Sequence, residues 1–179
     1  MSTATKNPLN EGLKGAIAGA AGVWAMDRIG WYMYLREDPR ARQRETEARP
    51  GGLDPAHVIA NRVAGMLGQQ LHPKQPNPWG IAVHFALGVL PGALYGVLRH
   101  RVPALSKGQG FLYGLGLFVV NDEIINAALK FSGPPQAYPW QAHARGVVEH
   151  VVLGMVTDAV LRVMDRELHP PRPENFRDA

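Results

Sequence analysis

WGIAVHFALGVLPGALYGVL, residues 79 to 98, holds no Asp, Glu, Lys or Arg, and its one side chain that titrates near neutrality is His84. Twenty such residues can cross a bilayer as a single helix. Gly80, Gly88, Gly92 and Gly96 recur through the stretch, and Pro91 sits among them. In a soluble helix each interior glycine costs about 1 kcal/mol against alanine. Between helices in lipid, small residues let backbones approach closely and proline is tolerated. The stretch therefore predicts a membrane-spanning helix in an all-α protein.

Three further segments, near residues 12–35, 110–131 and 146–164, are also mostly apolar, and charge gathers in 36–74, 99–107 and 162–179. Lys14, Asp27, Arg28, Asp122, Glu123, Glu149, Asp158 and Arg162 interrupt these segments. Each would cost roughly 2.5 to 3.5 kcal/mol at mid-membrane unless it has a partner. The pattern predicts one polytopic membrane domain over residues 1–179 with four spanning helices. In the first long connection, the mixed charges and Pro39 of REDPRARQRETEAR (36–49) place that stretch in water, and Pro50, Gly51 and Gly52 mark a turn. Asp54 and Pro55 then form an N-cap and N1 pair. They open a short amphipathic helix to about Gln69, with Val58, Ile59, Val63, Met66 and Leu67 on a helical period. Residues 70–78 and 132–143 are proline-rich connections.

The net charge of +4 and the absence of a basic stripe interleaved with aromatics point to anionic lipid headgroups as the partner and away from nucleic acid. There is no cysteine, so disulfides and thiolate metal sites are excluded. The run from Gly15 to Met26 has a poor basic lead for a cleavable signal peptide. Trp24, Trp31, Tyr32, Tyr34, Trp79, Tyr138 and Trp140 fall toward one set of helix ends, as an interfacial aromatic belt would. With four crossings, Arg99, Arg101 and Lys107, together with Lys6, Lys14, Arg162 and Arg166, place both termini in the cytoplasm. Arg36, Arg40, Arg42 and Arg44 compete from the other side.

The four segments read as two helical hairpins of one design. Gly15, Gly19 and Asp27 lead to Gly80, His84 and Gly88; Gly110, Gly114 and Asp122 lead to Gly146, His150 and Gly154. WGIAVHFALGVL (79–90) against RGVVEHVVLGMV (145–156) has four identities in twelve positions. At about 1.5 Å rise per residue, each Asp stands roughly 18 Å above its first glycine, and each His about 6 Å below the start of a descending helix. Within an apolar layer about 25 Å thick, the Asp and His side chains converge on one level, around an axis along the membrane normal.

Asp27, Asp122, Glu123, Glu149, His84 and His150 form a nitrogen- and oxygen-rich set of candidate ligands. Carboxylates and histidines projecting inward build the metal sites of helical bundles, and such ligands suit zinc, iron or manganese. The di-iron spacing Glu-x-x-His is absent, and the adjacent Glu149 and His150 stand about 100° apart on a helix. A haem between His84 and His150, a proton path through Asp and His in series, and purely structural pairing all remain open. Asp158 and Arg162 are spaced for a salt bridge, and Asn121 and Asn126 for hydrogen bonds between helices. No Ser/His/Asp arrangement or nucleotide-binding loop is present, so an enzyme would need a redox-active or openly coordinated metal. The alternative is a structural or assembly partner, packing its glycine faces against a second copy or another membrane protein.

His84 in WGIAVHFALG, GALYG at 92–96, Val102 with Pro103, GQGFLYGLG at 108–116, PPQAYPW at 134–140 and Glu149 with His150 carry a resemblance. On these residues the stretch from Trp79 to Leu168 resembles the YagU-like family of small bacterial inner-membrane proteins, whose function is unknown. The resemblance implies a multi-pass inner-membrane protein of several helices and brings no active-site residues with it.

Overall fold

The computed structural model describes residues 7–71 and 74–168. Lys6 and part of the 70–78 connection lie outside the described residues. The described chain is all-helical and contains no strand. In order come α1 (Pro8–Tyr34), α2 (Pro39–Ala48), α3 (Pro55–Met66), α4 (Pro78–Leu98), the single turn α5 (Pro103–Ser106), α6 (Phe111–Ala128) and α7 (Trp140–Leu168).

Local chemistry sets the helix starts. Asn7, Asp54 and Asn77 each cap the helix that follows with a side-chain oxygen, and in each case proline occupies the first turn. α4 matches its predicted limits, while α7 starts earlier than expected, at Trp140. Composition places residues 36–49 in water as plain connection, yet they fold into α2. Asp38 Oδ1 accepts the Arg40 N–H at 2.7 Å, and Pro39 sits at the first helical position. α2 is then pinned from α7, where Arg145 pairs with Glu37 and reaches Glu45 Oε1 at 2.7 Å.

α1 lies between α4 and α7 and packs along both; α6 packs along α7, and among the described residues α4 and α6 do not pack along one another. Glycines make the two hairpins close. A Cβ added to Gly92 would lie 2.7 Å from the Gly15 carbonyl oxygen and 2.8 Å from Gly19 Cα. One added to Gly154 would lie 2.6 Å from Gly114 N. Gly88, Gly92 and Gly96 therefore spend their small-residue face inside the chain, and Gly80 lies under the His57 ring of α3. The two hairpins differ by one turn of register: Gly19 faces Gly88, whereas Gly114 faces His150, the counterpart of His84. A closed twofold bundle would also need an α4–α6 contact to match that of α1 with α7. The likeness of the halves thus extends to hairpin packing and not to a full ring of four.

Phe118–Ile125 within α6 is wound as a π-helix. Such segments are rare and concentrate at functional sites. This one carries Asp122 and Glu123, and its wider turns shorten the climb from Gly114 to Asp122.

Polarity is arranged inside out. Lys14, Arg99, Asn126, Arg145, His150, Thr157 and Asp158 are buried, whereas Trp24, Trp31, Trp79, Leu90, Leu94, Leu112, Val120, Ile124 and Trp140 are exposed. α4 and α6 are long and apolar enough to cross a membrane. Most charges on α1 and α7 have partners, while Arg28 is exposed and lies 5.9 Å from the Trp24 ring. Lys14 Nζ lies 2.9 Å from Glu11 Oε1 and 3.1 Å from Asp165 Oδ1, and Arg99 also pairs with Asp165. The Tyr95 hydroxyl donates to Asp158 at 2.7 Å while its ring stacks on Tyr113, and Arg162 Nε stands 3.2 Å from Asp158.

α3 joins the two outer helices. It packs on α4, and its Arg62 donates to the carbonyls of Leu129 and Lys130 at 2.7 and 2.6 Å, just beyond the end of α6. The Arg62 guanidinium also lies over the Phe131 ring.

Candidate functional site

A cavity of about 420 Å³ opens between α1, α4, α6 and α7 and is roofed by α2 and the long connections. Asp27, His84, Asp122, Glu123, Glu149 and His150 all line it. α1 rises while α4 descends, so Asp27 meets His84, and α6 and α7 bring Asp122 and His150 to the same cavity with a register one turn different.

The residues stand in pairs. Asp27 Oδ1 is 2.8 Å from His84 Nε2. Glu123 Oε1 is 2.7 Å from His143 Nδ1, and His143 Nε2 donates to the Pro135 carbonyl at 3.0 Å. His150 Nε2 lies 3.7 Å from Asp122 Oδ2, beyond hydrogen-bond reach, while His150 Nδ1 donates to the Gly146 carbonyl at 2.9 Å. Asn121 and Asn126 do not bond across helices; both donate to Asp122 Oδ1 on their own helix, at 3.0 and 3.3 Å. Glu149 stands 3.5 Å from Arg145 Nε and against Gly30, where any side chain would strike its carboxylate.

The sequence reading missed His143. Its signal was available: seven residues before His150, it lies two turns away on the same helix face. Arg145 was missed as well, although a lone arginine opening an apolar helix calls for buried carboxylates nearby.

Hydrogen-bond geometry distinguishes the three imidazoles. His143 meets an acceptor at each ring nitrogen. His84 donates from Nε2 to Asp27 and keeps Nδ1 unpartnered. His150 donates from Nδ1 and turns a lone pair at Nε2 toward the cavity. The lining carries six carboxylates, from Asp27, Glu45, Asp54, Asp122, Glu123 and Glu149, against the guanidiniums of Arg49 and Arg145. The carboxylates outnumber the guanidiniums, so the space favours cations.

No three of the six predicted ligands bring their donor atoms within 4.8 Å of one another. Among the described residues, the group that does so is Glu11, His100 and Asp165, at the opposite end of the bundle. Lys14 and Arg99 already pair with its carboxylates. A haem bridging His84 and His150 would have to displace Asp27 from His84 Nε2 or approach through Nδ1.

No protein-family model, no curated protein and no solved structure matches this chain.

Proposed function

We propose that this chain is a multi-pass protein of the bacterial inner membrane, with α1, α4, α6 and α7 all spanning it, and that its acidic cavity passes protons along carboxylate–imidazole pairs. The inside-out polarity supports four spans. Most of the charges that make α1 and α7 poor spans by composition face inward onto partners, Arg28 being exposed beside the Trp24 ring, and the outward faces present tryptophan and aliphatic side chains. Buried ionisable groups in a membrane are costly and mark ion or proton pathways. The YagU-like resemblance is what supports the inner membrane as the compartment.

The observation that carries the proton reading is that three carboxylate–imidazole pairs share one cavity with different geometries: Glu123–His143 with an acceptor at each ring nitrogen, Asp27–His84 closed by one hydrogen bond, and Asp122–His150 held apart at 3.7 Å. A relay requires neighbouring sites that can take up and pass on a proton.

The test is proton flux into liposomes carrying the purified protein and a trapped pH-sensitive dye, driven by a potassium diffusion potential. Flux in the wild type that falls at least tenfold in Asp27→Asn and His84→Gln supports the relay. Equal dye responses in empty and protein-bearing liposomes would instead favour the scaffold reading, in which the pairs only hold helices together. Retention of the chain in membranes washed with alkaline carbonate tests the membrane assignment separately.

A further inference from the structure

We infer that His150 Nε2 and Asp122 Oδ2 are the protein side of an open seat for a divalent transition-metal ion of the zinc, manganese or iron(II) class. The inference rests on the cation-attracting cavity proposed above and adds a ligand to it.

Of the three pairs in the cavity, two are closed by hydrogen bonds of 2.8 and 2.7 Å, and this one is held apart at 3.7 Å. The separation suits an ion between the two atoms. Zinc takes imidazole nitrogen and carboxylate oxygen at about 2.0 to 2.2 Å, so two ligands of one ion stand roughly 3.3 to 3.5 Å apart at a tetrahedral angle and about 3.7 Å apart as the angle opens toward 120°. The His150 side chain is 10% exposed and lines the cavity, and among the described residues its Nε2 has no partner within hydrogen-bond distance.

The surroundings aim both atoms. Donation from Nδ1 to the Gly146 carbonyl fixes the tautomer that leaves a lone pair on Nε2. Asn121 and Asn126 occupy Asp122 Oδ1 from the far side and leave Oδ2 toward His150. Such outer partners orient and tune metal ligands. The Phe118 ring lies against the imidazole at 5.8 Å between centroids, and Gly114 brings α6 against the His150 backbone. The π-wound segment supplies Asp122 at this depth. Two protein ligands leave the remaining positions to water, so the seat is exchangeable and keeps an open coordination position.

Cobalt(II) is the probe, titrated into the full chain in detergent and followed by its visible absorption. One ion per chain is expected in the wild type and in Asp27→Asn, with affinity at least tenfold weaker in Asp122→Asn and His150→Gln. Should those variants fail to fold, paramagnetic broadening in the wild type decides: His150 ring signals should broaden before those of His84 and His143. Binding that is equal in all variants, or broadening that spares His150, overturns the seat. No cobalt bound while proton flux persists overturns the seat and leaves the relay standing; cobalt bound at His150 without flux does the reverse.

Discussion

Asp27 and His84 stand 57 positions apart in the sequence and meet at 2.8 Å across the α1–α4 interface. Both are partly reachable from the cavity, with side chains 27% and 37% exposed. Their hydrogen bond is therefore a modest contributor to stability and a poor candidate for a purely structural role. Asp27→Asn should lower unfolding free energy in detergent by only about 1 kcal/mol, while proton flux falls tenfold or more. A thermal unfolding series run beside the liposome assay checks the split; parallel losses would point to a structural pair.

The hairpin glycines predict opposite outcomes for one chemical change. At Gly92 a methyl group meets the backbone of Gly15 and Gly19, which cannot step aside as a flexible side chain would. Gly92→Ala should destabilise by about 1 to 3 kcal/mol through overpacking. Gly116 has nothing within 4 Å of the same position, so Gly116→Ala should be neutral or stabilise by about 0.5 to 1 kcal/mol through helix propensity. Thermal midpoints of the two variants should move in opposite directions.

Arg145 holds α2 on the bundle through Glu37 and Glu45, and all three side chains are at most 9% exposed. Arg145→Ala leaves the buried Glu37 carboxylate without its cation and Glu45 with Arg49 alone, a loss of about 3 to 5 kcal/mol for a pair of this kind. The expected result is release of α2, read as rapid proteolysis between Arg36 and Arg49 while α1 and α4 stay protected.

A chain without cysteine can be mapped by adding one at a time. Cysteines replacing Glu47 and Lys107 should react with an impermeant maleimide from opposite faces of a sealed membrane, and the Lys107 position should be the cytoplasmic one. Labelling of both from one face would refute four crossings.

The long helices were legible because their signal is local: apolar runs bounded by charge and proline, and glycine spacing on one face. The depth relation was legible for a similar reason, since rise per residue is fixed and antiparallel hairpins leave little freedom. α2 was not, because its composition is that of a solvated loop and its docking depends on Arg145, far along the chain. The π winding of α6 has no marker in FVVNDEII. His143 was passed over because its partner Glu123 arrives through the fold, and the pairwise grouping of the ligands depends on sub-ångström placement that spacing cannot supply.

Arg62 gives the bundle a mechanical asymmetry. The outer helices α4 and α6 share no extended interface, and α3, seated on one, grips the end of the other with a single guanidinium. Separating them at that end costs two hydrogen bonds and a ring contact, while the buried Tyr95–Tyr113 stack holds the two helices together at the other. A hinge of that kind lets the cavity's side wall swing while both glycine-locked hairpins move as rigid levers, so access to the acidic space is governed at the rim by one residue remote from the charges it guards.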